Sequence, residues 1–296
     1  MSDSTPASEQ AASSSEVRFD YGGEPIAFRS VGRDDHILRD MQRRATFYER
    51  DVLERLRQRL EKRHGGASID AGAFIGTHAV YFAKFCGLKP VFAFEANPGT
   101  FPLLLHNIRI NRLEDTVNPI NRALGASRGY GRVIPADNTN QGHSSVTFDS
   151  EKRSESVHVR SLDDEVDALL GKSRSIALIK IDVEGAELEV LHGAKRTIRA
   201  HRPLLCIEVH NVQNLRKVLS VLSGDRYWII DCLGYSPTYI IEATDAMFLR
   251  RLAVNLLWLV RATIPAESHR ACDLARRHIR RLAQKFSTGS WEAVQS

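Results

Sequence analysis

The feature that most limits how this chain can fold is an alternation of two periodicities between Ala67 and Glu242. Short runs rich in branched and aromatic residues fall at Ala67–Ala71, Val91–Ala96, Val117–Leu124, Ile176–Val183 and Pro203–His210. Between them lie segments with helical spacing, at Gly76–Cys86, Pro98–Arg112, Gly185–His201 and Val212–Leu222. Strands that alternate with helices predict an α/β fold, a doubly wound, mostly parallel sheet with helices on both faces. The last two runs, Tyr227–Cys232 and Tyr239–Glu242, have no full helix between them, which predicts an antiparallel edge hairpin. The stretch Gly125–Arg160 interrupts the rhythm with the turn-rich run Asp137–Gly142, and reads as an insertion on the substrate side or a lid.

The flanks are read separately. Residues 1–16 are rich in Ser and Ala without an apolar core, and predict a disordered tail rather than a signal peptide. Residues 17–66 predict a strand and turn around Tyr21-Gly22-Gly23, then one long amphipathic helix over Ile37–Arg63 with Met41, Ala45, Tyr48, Val52, Leu56 and Leu60 as its apolar stripe. Residues 249–296 form a basic helical C-terminal extension. From Arg250 onward nine Lys and Arg face Glu267, Asp273 and Glu292, so much of the net charge of +5 lies there. Ser268–Phe286 has the spacing of an amphipathic helix with Ala275, Ile279, Leu282 and Phe286 as its stripe. Such a helix can dock on the domain, contact a second protomer in a homodimer, or touch an anionic surface. No apolar run approaches the length of a bilayer span, and a cytoplasmic location is the expectation. Cys86, Cys206, Cys232 and Cys272 are far apart and contain no C-x-x-C pair, so they read as reduced thiols.

Three strand ends carry the chemistry. In the first, Ile69-Asp70-Ala71-Gly72-Ala73-Phe74-Ile75-Gly76, an acid closes a strand and glycines lead into a helix. Glycine permits a tight turn and close approach of backbone to a ligand, and the free N–H groups of a helix start suit a carboxylate. Nineteen residues after Gly76, Glu95 closes the next strand, where an acid can take both hydroxyls of a ribose. The glycine spacing is not that of dinucleotide sites. Asp70 at the turn is awkward for a pyrophosphate but suits an ammonium or a sulfonium. S-adenosylmethionine has both of these and no phosphate, and is the expected cofactor.

The second is Ile179-Lys180-Ile181-Asp182-Val183-Glu184-Gly185-Ala186-Glu187. Lys180, Asp182 and Glu184 alternate, so an extended strand puts them on one side, at the end where doubly wound sheets bind ligands. Charges in so apolar a strand are costly unless a ligand or one another satisfies them. An internal Lys–carboxylate cluster is the alternative, and Glu187 reads as a helix-start carboxylate. The third is Cys206-Ile207-Glu208-Val209-His210, whose Glu208 and His210 again share a side; His210 can serve as a general base. Asp182, Glu184, Glu208 and His210 would also suit a divalent metal, although no metal ligands are assigned.

Taken together, Phe47-Tyr48-Glu49, Asp70–Gly76, Val91–Pro98, Asn121–Gly125, Ser161–Asp164, Ile179–Glu187 and Leu205–Glu208 resemble the FkbM methyltransferases. The resemblance runs from about residue 17 to 245, and the K-I-D-V-E-G-A-E run is its most specific part. It implies a Rossmann-like methyltransferase fold over residues 67–248 and methyl transfer to a hydroxyl oxygen, often of a sugar or another small molecule. It also implies that Asp70, Gly72 and Gly76 line the methionine end of the cofactor and Glu95 its ribose. Asn97 and Ala123 would lie near the adenosine, with Lys180, Asp182 and Glu184 at the reacting end. The family usually has Asn where this chain has Phe74.

Asp182 is the expected proton acceptor, with His210 and Glu184 as the other candidates and Lys180 as the group that orients them. Two further readings stay open at this point. A nucleic-acid 2′-O-methyltransferase would use the basic tail, and a non-catalytic nucleoside-binding protein would keep the fold without turnover.

Overall fold

The computed structural model describes residues 15–244 apart from 31–34, 64, 135–143, 150–155, 171–173 and 235. The basic extension and the run Asp137–Gly142 lie outside the described residues.

The chain opens with the hairpin β1 (Ser15–Tyr21) and β2 (Glu24–Ser30), which turns at Gly22 and Gly23, both in the left-handed region. The expected long helix is two: α1 (His36–Arg44) and α2 (Arg50–Leu60). Ala45 and Glu49, both at positive φ, end one and start the other. The reason lies between them. Phe47 is fully buried and meets Phe19, Tyr21, Phe28, Tyr81 and Phe85 edge-on or nearly so. A continuous helix with the Met41–Leu60 stripe inward would carry Phe47 off that stripe.

The main sheet follows the predicted alternation. It contains β3 (Ala67–Ala71), β4 (Val91–Phe94), β5 (Val117–Ile120), β10 (Ile176–Ile181), β11 (Leu204–Glu208), β12 (Tyr227–Leu233) and β13 (Thr238–Ala243). Its seven strands run in the order β12-β13-β11-β10-β3-β4-β5. The neighbours from β11 to β5 are parallel, and β13 is antiparallel to both β11 and β12. The edge hairpin is therefore as expected. Strand order reverses between β3 and β10: the chain builds outward from β3 through β4 to β5, then returns to place β10 on the other side of β3. Such a reversal opens a crevice at the carboxyl ends of the two strands.

Side chains alternate across the sheet. Ile69, Phe92, Phe94, Ile179, Ile181, Leu205 and Ile207 belong to the core on one face, which α5 (Leu162–Leu169), α6 (Glu187–His192), α7 (Lys195–His201) and α8 (Val212–Leu222) cover. Val91, Ala93, Leu204, Cys206 and Ile240 belong to the other core, with α1, α2, α3 (Thr77–Phe85), α4 (Phe101–Ile110) and the β1–β2 hairpin. Asp70 and Lys180 alternate with the first set and so point to this second face.

Two further predicted elements are divided. Val117–Leu124 divides into β5 and β6 (Ala123–Leu124), because the chain turns at Asn121, whose side chain donates to the Glu95 carbonyl (2.8 Å), and β6 then pairs with another sheet. Gly185–His201 breaks between α6 and α7 at Gly193, where a Cβ would lie 2.0 Å from the Gly125 carbonyl oxygen. The insertion forms a small sheet in which β6 meets β7 (Gly129–Ile134), β8 (Ser145–Asp149) and β9 (Ser156–Arg160), ordered β6-β9-β7-β8.

Two asparagines, Asn107 on α4 and Asn111 at its C-terminal cap, fasten the hairpin to the domain. Asn107 accepts from Arg29 N (2.8 Å) and donates to Arg29 O (2.9 Å) and Ile75 O (2.8 Å). One turn on, Asn111 accepts from Ala27 N (3.2 Å) and donates to Ala27 O (2.7 Å). Among the described residues no helix is long and apolar enough to cross a membrane. Cys206 and Cys232 are buried and Cys86 is partly buried, none of the three is in a disulfide, and Cys272 lies outside the described residues.

Candidate active site

A cleft of about 1420 Å³ opens at the strand-order reversal. Gly72, Ala73, Phe74, Glu95, Asn97, Ala123, Lys180, Asp182, Glu184 and Glu208 all line it, so three separate sequence signals converge. Ser144 and Val146, around the start of β8, border it from the insertion.

At its floor lies a buried ion cluster. Asp70 and Lys180 are register partners on β3 and β10. Lys180 Nζ is 3.3 Å from Asp70 Oδ1 and 3.2 Å from Asp182 Oδ2, and donates to the Gly72 carbonyl at 3.0 Å. Burial works against the Lys180 charge, but Asp182, Asp70 and Glu49 outweigh it and its pKa is raised. Burial also opposes the Asp182 charge. Lys180 and a hydrogen bond from Glu208 more than offset this, so the Asp182 pKa is lowered. Glu208 goes the other way: burial, then the neighbouring Asp182 charge, push it up to about 9. Two carboxyl groups that share one proton separate in this manner. Asp182 is thus the ionised member and is partly exposed to the cleft, while Glu208 carries the proton.

The glycine loop is shaped by protein contacts. Gly72 has φ +79, and a Cβ there would fall 1.7 Å from the Asp182 carbonyl oxygen. Gly76 has φ +91, and its Cβ would meet Leu104 at 2.7 Å. These glycines let the loop lie against β10 and α4, and Gly76 does not border the cleft. Nor does Asp70, which is fully buried beneath it against Lys180. The internal Lys–carboxylate cluster therefore describes Asp70 and the Lys180 ammonium, while Asp182 faces the open space.

Phe74, where the family usually has Asn, adopts φ +49. Asn tolerates the left-handed region and a bulky residue does so poorly. The family's residue thus suits the backbone of this turn. Phe74 N donates to Glu95 Oε2 and Asn97 N to Glu95 Oε1, each at 2.8 Å. Burial raises the Glu95 carboxyl to about 7 against the pull of these two amides. Asn97 also accepts from Gly99 N (2.9 Å) and donates to Ser144 Oγ (3.4 Å).

Strand alternation predicts that Lys180, Asp182 and Glu184 share one side, and Glu208 and His210 another such pair, but the strands end before some of these residues. β10 ends at Ile181 and β11 at Glu208. Glu184 has left the strand at φ +53, and Glu187 fixes the turn by accepting from Gly185 N (2.9 Å) and Val183 N (3.4 Å). Glu187 is structural, as expected of a helix-start carboxylate. His210 stands at the rim, 44% exposed at its side chain and outside the cleft lining. Its Nε2 is 3.3 Å from Glu208 Oε2 and 3.9 Å from Glu184 Oε2.

The sequence alone assigns no site role to Glu49 or His78. Their side chains pair across the cleft wall, His78 Nε2 lying 3.3 Å from Glu49 Oε2. Burial first, then Glu49 and Asp182, raise the Tyr48 hydroxyl and keep it protonated. The Phe47-Tyr48-Glu49 stretch was legible as a likeness; His78, alone on an apolar helix, gave no signal.

A mostly parallel sheet with an antiparallel penultimate strand and a cleft at its switch point is the arrangement of a Rossmann-like fold. The chain belongs to the FkbM methyltransferase family: the model described as methyltransferase FkbM domain matches residues 70–229, more than half of the chain. It is similar to the hexuronic acid methyltransferase AglP of Haloferax volcanii, at 32% identity over 176 residues, 59% of this chain and 68% of that one. Among solved structures it is similar to the methyltransferase FkbM of Methylobacillus flagellatus (21% identity, TM-score 0.44), covering 61% of this chain and 44% of that one. It is also similar to TYW2 of M. jannaschii (15% identity, TM-score 0.39), covering 77% of this chain and 87% of that one.

Proposed function

We propose that this methyltransferase uses S-adenosylmethionine to methylate a hydroxyl oxygen of a sugar, with Asp182 as the proton acceptor. The observation that carries this reading is an ionised carboxylate, Asp182, facing a cleft at the switch point while its neighbours Lys180 and Glu208 hold it in that state. The name of the relative AglP supports a sugar, and within the sugars an acidic one.

The donor fits the residues present. Each Glu95 oxygen accepts one amide N–H and retains acceptor capacity for a ribose hydroxyl. Asn97 and Ala123 also border the cleft, and Gly72 lies with its backbone against Asp182. Asp70 acts beneath the surface, by fixing Lys180. When bound, S-adenosylmethionine supplies an already activated methyl group on a sulfonium.

The protein's part is alignment and proton transfer. Asp182 takes the hydroxyl proton as the oxygen forms its new bond to carbon. Lys180 holds the Asp182 carboxylate in place. The insertion sheet and Tyr48 wall the cleft and limit water.

The test is to incubate the protein with labelled donor and uronic-acid-bearing oligosaccharides, then repeat with Asp182→Asn. Label on a sugar oxygen that disappears in the variant, with donor binding retained, supports the reading. Donor binding without transfer to any hydroxyl acceptor would favour the non-catalytic alternative. The nucleic-acid alternative rests on a tail outside the described residues and gains no support from this cleft.

A further inference from the structure

Next to Asp182, three side chains from two strand ends surround one point. Glu184 comes from the turn after β10, and Glu208 and His210 come from the end of β11. Each offers one ligand atom, and the three atoms lie within 4.8 Å of one another. Glu208 is 8% exposed, and its Oε2 is buried without a hydrogen-bond partner. His210 Nε2 lies 3.3 Å from that oxygen. The second separation, from His210 Nε2 to Glu184 Oε2, is 3.9 Å.

These distances fit ligands around an ion. Two ligands at about 2.1 Å from an octahedral centre are about 3.0 Å apart when adjacent and about 4.2 Å when opposite. A buried carboxyl oxygen without a hydrogen-bond partner is costly, and a cation between the three groups would satisfy it. We infer that Glu184, Glu208 and His210 form a divalent-cation site that holds oxygen atoms of the methyl acceptor beside Asp182.

Two carboxylates and one imidazole favour an oxygen-preferring ion that also accepts nitrogen, which points to Mn²⁺ or Mg²⁺ rather than a thiolate-seeking metal. Three protein ligands leave about three positions open in an octahedral shell. Glu184 and Glu208 both border the cleft, so open positions can face the acceptor. An ion there would bind the reacting hydroxyl and an adjacent oxygen, acidify the hydroxyl and fix its direction. It would take the place of the proton on Glu208. The role in transfer rests on the proposed function; the binding of the ion does not.

The experiment uses full-length protein freed of metal with a chelator and titrated with Mn²⁺, with unbound ion followed by electron paramagnetic resonance. One Mn²⁺ per chain is expected, with Mg²⁺ competing for it. Glu184→Gln and His210→Ala should each weaken binding by about tenfold or more. Glu189→Gln, an exposed acid on α6, should bind as the parent does. Circular dichroism and melting establish that each variant is folded. His210 is half-exposed at the rim, and Glu184→Gln serves if His210→Ala does not fold. Absence of a stoichiometric site, or equal affinity in parent and folded variants, overturns the inference. Calorimetry with S-adenosylhomocysteine on the same samples separates the two claims. Nucleoside binding without Mn²⁺ binding removes the ion site alone, and Mn²⁺ binding without nucleoside binding removes the proposed donor alone.

Discussion

Asp70 and Lys180 face each other across two neighbouring parallel strands, and Lys180 Nζ spans from Asp70 Oδ1 at 3.3 Å to Asp182 Oδ2 at 3.2 Å. One ammonium therefore balances a wholly buried carboxylate below and a cleft-facing carboxylate above. Removing one partner of a buried pair leaves an uncompensated charge. Lys180→Met should lower stability by about 3–5 kcal/mol in urea denaturation. The double variant Asp70→Asn with Lys180→Met should regain part of that. No recovery in the double variant would mean that the pairing is not what the single change disturbs.

Asp182→Asn keeps the size of the side chain and removes its basicity. Methyl transfer should fall by about 10²–10⁴-fold while calorimetric donor affinity changes little. Unchanged turnover would exclude Asp182 as the proton acceptor.

Glu95 links the cleft to pH. Burial raises its carboxyl from 4.5 to about 7. Between these values the folded protein keeps a proton that the unfolded chain has lost. The contribution of Glu95 is thus fully present below the unfolded value and is lost as pH rises through the folded one. From pH 5 to pH 7 it should decline by about 2 kcal/mol. Glu95→Gln should lack this part of the slope, with a constant penalty because an amide NH₂ would confront one of the two backbone N–H donors. Parallel stability–pH curves for the two proteins would contradict the raised pKa.

Phe74 offers a test of backbone strain. At φ +49 a Cβ is unfavourable by about 1–2 kcal/mol. Phe74→Gly should therefore be more stable than Phe74→Ala by about 1 kcal/mol, the reverse of the usual order of these residues in regular structure. Comparing the two small residues cancels most of the lost packing. If alanine proves the more stable, the turn is not left-handed.

Gly72 and Gly23 both have positive φ, but only Gly72 has backbone close to where a Cβ would stand; at Gly23 nothing lies within 4 Å. Gly72→Ala should exceed Gly23→Ala in destabilisation by about 1–3 kcal/mol. Equal effects in thermal melts would show that the loop is free to move from β10.

Much of this was legible in the sequence because two periodicities, 2 and 3.6, carry the fold. Ala67–Ala71 is predicted and found with the same limits, and the Tyr227–Glu242 hairpin lies where a missing helix put it. The breaks were not legible, because they depend on partners distant in the chain. Phe47 leaves a helical stripe for aromatic rings on β1, β2 and α3, and Gly193 yields to Gly125. The site shows the same division. Lys180, Asp182 and Glu208 announce themselves as charges in apolar strands. Asp70 also stood out, but strand spacing did not reveal that it would lie under the cleft rather than in it. Glu49 falls within the predicted long helix and His78 on an apolar one, and only the folded arrangement brings their side chains together.

Asn107 on α4 and Asn111 at its cap have a consequence for how the molecule behaves among its own copies. Ala27 and Arg29 are two residues apart on β2, a separation of about 6.8 Å along a strand. Asn107 and Asn111 are four apart, about 6.0 Å along a helix. A helix thereby imitates a neighbouring strand, and its carboxamides occupy the hydrogen-bonding positions that a foreign peptide would otherwise seek. The outer border of β2 is sealed from within: Pro25 offers no N–H at its start, the two asparagines occupy the positions beyond it, and the chain gains protection against intermolecular β-association.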